Sequence, residues 1–240
     1  MPRIARLVAV GYPHHVIQRG KPAGSPANRG KKRQKVFFAR ATREKYLDLL
    51  KEYSKEWDVT VLAYCHALAD PPSEDLMDNH VHLMLKPQKP ESLAKLMQGV
   101  TLSYTKYRNR RYHKTGRLWE SRYYSCIIDA EDYLWTVARY IEQNPVHAGI
   151  VKKAEDYPYS SARAHITAAQ DEVLNEELVS AEERADYIKL IRSIITEKEA
   201  KFIRLSTKKG LPLGSDSFLK EIEGRLKVSF KNKKSGRPKK

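Results

Sequence analysis

Only two cysteines, Cys65 and Cys126, occur in the 240 residues, with no CxxC pair between them. That excludes a disulfide framework and points to a reducing compartment, with both thiols acting as small buried apolar groups. No apolar run is long enough to cross a bilayer, so no membrane association is expected. The first residues, MPRIARLVAVGYPHH, lack the apolar stretch of a secretion signal, and the expected location is cytoplasmic. No internal repeat is present. Acidic residues are also short: 29 Asp+Glu stand against 45 Lys+Arg, a formal net charge of +16. A polyanionic partner fits this excess, because each cation that reaches a phosphate releases condensed counterions. A merely soluble basic protein is the plainer alternative.

What is present has the periodicity of an α+β protein. Strands are predicted at 14–19, 59–65, 79–86 and 125–129, from alternating or β-branched runs. Helices are predicted at 43–57, 91–110 and 131–144, where apolar residues recur at helical spacing. Pro145 is expected to limit the last of these, because the residue before a proline is pushed out of the helical region. Residues 21–35 and 66–78, rich in Gly, Pro and charge, are loops. The element order predicts an antiparallel or mixed sheet of four to five strands covered by helices. Residues 1–165 form the main domain in this reading. Residues 166–230 form a charged helical extension, helical over 176–205 and again briefly after 208. Residues 231–240 are a basic tail.

Four constellations could carry chemistry. In His80-Val81-His82, residues two apart on a strand share a face, so both imidazoles project together as a two-ligand arm for one metal ion. Imidazole accepts several divalent metals, so the pair does not name one; two ordinary histidines on a polar face are the alternative. Tyr140 and Asn144, four apart on a helix, also share a face. The tyrosine could attack phosphorus and the asparagine ligate the same ion, or both could be structural. The loop Arg111, Tyr112, Lys114, Arg117, Trp119, Arg122, Tyr123, Tyr124 interleaves cations with rings, a pattern that holds single strands by stacking and phosphate contact; a loop anchored by Trp119 explains it equally. The tail KKSGRPKK, centred on Arg237, is similar to an AT-hook, whose arginine enters a narrow minor groove, or is an unspecific basic tail. His14 and His15 point to opposite faces of their strand and are assigned, with Arg19, to strand and DNA contacts and not to metal.

Taken together, PRIARLVAVGYPHHVIQRG, VTVLAYC, NHVHLMLKP, GRLWESRYYS, YIEQNPVHAGIV and DYPYSSARAH resemble the HUH single-tyrosine transposases, specifically the REP-associated tyrosine transposases. The resemblance covers roughly residues 2–165 and recurs in LPLGSDSFLKEIEGRL and SGRPKK. It implies a ferredoxin-like HUH domain in which His80 and His82 bind metal, Tyr140 is the nucleophile and Asn144 completes the metal site. It also implies Mg²⁺ or Mn²⁺ as cofactor, and single-stranded or hairpin DNA as substrate, handled by a monomer or homodimer. Arg19, Lys114, Arg117, Trp119, Arg122 and Arg237 are the expected DNA-binding residues. Two features depart from the family pattern: HALADPPSED is inserted before the histidine strand, with Asp78 in place of a proline, and Glu120 stands where glutamine is expected. A longer loop need not move His80 or His82, because added loop length costs little entropy. Glu74, Asp75 and Asp78 are further carboxylates that could approach the metal or remain solvated.

The implied activity is cleavage and rejoining of single-stranded DNA through a 5′-phosphotyrosine. A phenol with an ordinary pKa of about 10 needs activation for this at neutral pH. A domesticated hairpin-DNA binder without turnover is the main alternative, and an RNA-binding α+β module a weaker one.

Overall fold

The β-branched and aromatic run VTVLAYCHA suits a pleated surface better than a helix, and it forms the longest strand among the described residues. The structure is a computed structural model that describes residues 6–22, 35–67 and 79–230. In chain order it contains β1 (His14–Arg19), α1 (Arg40–Glu56), β2 (Val59–Ala67), β3 (His80–Pro87), α2 (Ser92–Arg111) and β4 (Tyr124–Ile127). Then follow α3 (Leu134–Glu142), α4 (Asn144–His147), a 3-10 turn at Ala154–Asp156, α5 (Ala162–Thr167), α6 (Arg184–Arg192), α7 (Glu197–Lys209) and α8 (Asp216–Leu226).

The strands form one four-stranded antiparallel sheet in the order β2-β3-β1-β4. With the order βαββαβ this is the ferredoxin-like arrangement, and the expectation of an α+β sheet of four to five strands holds. Strand alternation divides the side chains between two cores. Val16, Val81, Leu83 and Leu85 join α1 and α2 on one face. Met84, Cys65 and Cys126 join α3 and the later helices on the other, and both thiols are buried as expected. The later helices are not laid on from outside. Leu178, Tyr187, Ile203 and Leu213 share the cluster that holds Tyr140 and Ile141.

The last predicted helix of the main domain differs from expectation. It begins at Leu134, ends at Glu142, and a separate turn, α4, restarts at Asn144. Pro145 sits in the first turn of α4, where its missing N–H is not needed. Residues 176–183 are not helical either; α6 begins at Arg184, and the chain breaks again before Thr196 caps α7 by accepting from the Glu199 N–H.

The outer edge of β2 is covered. The Tyr159 carbonyl accepts from His66 N–H, and Ser161 N–H donates to the Tyr64 carbonyl. Further along, Asn175 accepts from Val61 N–H through Oδ1 at 2.6 Å and donates to the Val59 carbonyl through Nδ2 at 3.3 Å.

Candidate active site

Register brings the two histidines of β3 against β1 and β2. His82 lies opposite Ile17 and Cys65, and His80 opposite Arg19 and Ala67. Directly paired residues share a face, so the expected two-histidine arm exists, with Val81 turned into the opposite core. Tyr140, on α3, packs its ring edge-on against His82 at 5.4 Å between centroids. It meets His15 in the same manner at 5.7 Å. His82 is fully buried and Tyr140 only 4% exposed. Asn144 lies one turn further along, at the start of α4, also buried.

A hydrogen-bond chain sets which nitrogen of His82 carries the proton. Thr207 Oγ1 on α7 donates its one proton to the Ile203 carbonyl at 2.8 Å. It can therefore only accept from His15, whose Nδ1 lies 2.8 Å away. A neutral imidazole has one N–H and one lone pair. With Nδ1 protonated, His15 Nε2 accepts from His82 Nδ1 at 2.9 Å. That leaves His82 Nε2 as a bare lone pair, buried and without a hydrogen bond. His80 is set similarly: its Nδ1 faces Asn79 Oδ1 at 2.8 Å, so the acceptor oxygen draws the proton to that side.

The electrostatics keep the His82 and His15 rings neutral. Burial, then the neighbouring charges of His80, His15, Arg19 and Arg204, holds His82 well below the ordinary imidazole pKa. Burial first and Arg19 second push His15 down to about 3.

The helix that carries Tyr140 is fixed by its neighbours in sequence. Glu142 is fully buried and accepts from Ser161 Oγ at 2.5 Å, His165 Nδ1 at 2.6 Å and Tyr187 Oη at 2.7 Å. Arg139 donates to Ser193 Oγ at 2.7 Å and Glu199 Oε1 at 3.0 Å. Gln143 donates to the carbonyls of Ile191 and Ser193. So α3 is held by α5, α6 and α7.

Several expectations change. His14 and His15 are buried, not placed for DNA contact. His14 is bonded on both ring nitrogens, to the Tyr12 carbonyl and the Ala9 N–H, while His15 belongs to the site through Thr207 and His82. Trp119 is 6% exposed. Its ring packs on Tyr46 and Tyr104 and its Nε1 donates to the Thr101 carbonyl, so it is no platform for a base. Tyr123 is buried as well. Lys114, Arg117 and Arg122 are exposed, and Arg19 is half-buried at the His80 end of β1. Arg237, Glu74, Asp75 and Asp78 lie outside the described residues. Among the described residues no three His, Cys, Asp or Glu side chains converge as a ready cation cage.

Sequence reasoning did not assign His15, Asn79, Glu142 or Thr207 to the site. The signal for His15 was present, since it lies two residues from Ile17 on the face that the HVH strand would join. Thr207 carried no signal in its own segment.

Residues 27–144 match the family model of IS200-like transposases. A Haemophilus influenzae protein described as a REP-associated tyrosine transposase is 22% identical over 143 residues, covering 55% of this chain and 81% of that one. The solved structure of a REP-associated tyrosine transposase bound to a REP hairpin superposes with a TM-score of 0.53, covering 82% of this chain and all of that one at 13% identity. That likeness establishes a common fold. The family match runs from before β2 through Tyr140 to Asn144, and over that stretch the chain is similar to the IS200-like transposases.

Proposed function

We propose that the chain is a single-strand DNA transesterase acting beside DNA hairpins, with Tyr140 as nucleophile. The observation that carries this reading is the packing of the Tyr140 ring against His82, whose Nε2 lone pair is held bare by the chain through His15 and Thr207. Hairpin DNA as substrate is taken from the solved relative, which holds one.

The donor set fits a divalent ion. His80 and His82 would hold Mg²⁺ or Mn²⁺, with the Asn144 amide oxygen as a third protein ligand. When bound, the ion would withdraw charge from the scissile phosphate. The protein's own share is positional. The three helices that grip α3 hold the Tyr140 phenol, and Arg19, beside His80, is suited to a phosphate oxygen. Tyr140 Oη forms a bond to phosphorus as the bond to O3′ breaks, and the phenolic proton is replaced, in net terms, by one on the departing 3′-hydroxyl. Attack by another 3′-hydroxyl reverses this, rejoining DNA and returning the proton to Tyr140. No nucleotide cofactor is consumed, because the phosphotyrosine keeps the phosphodiester's free energy.

Labelled single-stranded hairpin DNA incubated with Mn²⁺ and run on a denaturing protein gel tests this. Label should stay with the protein, and disappear in Tyr140→Phe or with chelator. Undiminished adduct in Tyr140→Phe would remove Tyr140 as nucleophile. The burial of Tyr140 favours a second reading, a hairpin binder without turnover. Tight binding with no adduct on any hairpin would select it.

A further inference from the structure

The charged helix α7 presents two stripes. Ala200, Ile203 and Thr207 are buried against the sheet. Lys201, Arg204, Leu205 and Lys208, spaced i, i+3, i+4, i+7, form one continuous neighbouring face. That face is one wall of a cleft of about 280 Å³. The floor of the cleft is Ile17, Arg19 and Tyr124, in the sheet row that also contains His82 and His80. A second cleft, of about 380 Å³, continues from it, shares Tyr124 and Lys208, and adds Arg6, Arg122 and Lys209. Among the described residues, Glu120 is the one carboxylate lining either.

We propose that this double cleft carries the single strand that flanks the hairpin and leads it to Tyr140. The inference rests on the reading of the chain as a hairpin-DNA enzyme. It extends that reading to a helix beyond residues 27–144, the span of the family match. A single strand needs cations along its phosphates and apolar faces for its bases. The cleft supplies the first from α7, β1 and residues 122 and 209. Leu205 in the cleft lining, at 43% exposure, offers the second, and Phe202, at 50% exposure outside the lining on the adjacent face of α7, would extend it. They take the place that the buried Trp119 and Tyr123 cannot fill. Arg204 is bonded to Glu197 at 2.6 Å, but Glu197 is largely exposed, and a pair of that kind is weak enough for a phosphate to displace. Thr207, on the buried stripe of α7, bonds to His15, which bonds in turn to His82, so the helix that forms the wall is tied directly to the site.

The test is fluorescence anisotropy of the full chain with two probes, a blunt DNA hairpin and the same hairpin with a single-stranded flank. Wild type should bind the flanked probe more tightly. Lys201→Glu/Lys208→Glu should lose that gain, on the order of tenfold, while its affinity for the blunt hairpin holds. Lys201→Gln/Lys208→Gln should flatten the log–log salt dependence of flanked binding by about 1.4, the share of two single-strand phosphate contacts. Lys55→Glu/Lys220→Glu makes the same charge change elsewhere and should leave the gain intact. Equal losses in the two Glu pairs, or flanked binding unchanged in Lys201→Glu/Lys208→Glu, would overturn the cleft assignment. Wild type that binds the blunt hairpin but gains nothing from the flank would overturn it alone. Wild type that binds neither probe would remove the hairpin reading and this inference together.

Discussion

His82 shows how much a single side chain depends on atoms it does not touch. Its Nε2 is a lone pair only because a threonine hydroxyl two contacts away gives its proton to a backbone carbonyl. Thr207→Val removes the acceptor for His15 Nδ1, so His15 is free to take the other tautomer and to turn His82 around. Mn²⁺ affinity, measured by calorimetry, should fall roughly tenfold or more, as outer partners of metal-ligating histidines typically require. Thr207→Ser should restore it, and the ¹⁵N shifts of the metal-free protein should report the changed His82 tautomer in Val but not in Ser. At this scale the sequence was readable only where the chemistry was local. Strand alternation does bring His80 and His82 to one face, as their spacing predicts, whereas Tyr140 and Asn144 fall on two successive helices and not on one. His15 did not declare itself, since its partner Thr207 lies 192 residues away. Trp119 misled for a related reason: rings and cations in a loop look alike whether the ring stacks on a base or on Tyr104.

At the scale of elements, the helices α1 and α2 were legible because each buries one continuous stripe at helical period, and the four strands because short apolar, β-branched runs buried on both faces stand out between loops. It failed over 176–183 and at the end of α3. There the chain's path is set by long-range partners, such as the Gln143 amide bonding to the Ile191 and Ser193 carbonyls, and not by local preference. The α1–α2 contact contains a further demand that no periodicity announces. A Cβ at Gly99 would lie 2.5 Å from the Tyr53 ring, whose hydroxyl is tied to Ser103 at 2.9 Å. Overpacking of about 1–3 kcal/mol, set against the ~1 kcal/mol that alanine returns in helix propensity, should leave Gly99→Ala destabilised by up to about 2 kcal/mol. Urea unfolding would show it, and a stabilised variant would mean that the two helices separate easily.

The whole molecule responds to acid through histidines that the fold keeps neutral. Burial holds His14 at about 4, and His15 and His66 at about 3, against about 6.5 when unfolded. A lowered folded value means that the unfolded chain takes up protons first. Stability is therefore complete above pH 6.5 and declines as the pH falls from there toward 4, each ring contributing about 1.4 kcal/mol per pH unit. Urea titrations at neutral pH and at pH 5 should differ accordingly; equal midpoints with equal slopes would show that these rings are solvated. The covered margin of β2 has a different consequence, for solubility. An outermost strand with bare N–H and C=O groups is a template on which another copy can assemble into ribbons and aggregates. Here Asn175 spends both ends of its amide in imitating a neighbouring strand, and residues 159–161 continue the imitation. Asn175→Ala should uncover Val61 N–H and the Val59 carbonyl, and self-association should rise with concentration in sedimentation velocity. A sheet whose margin is closed by a side chain can be opened by one substitution, and colloidal behaviour at this position is then a property of a single amide.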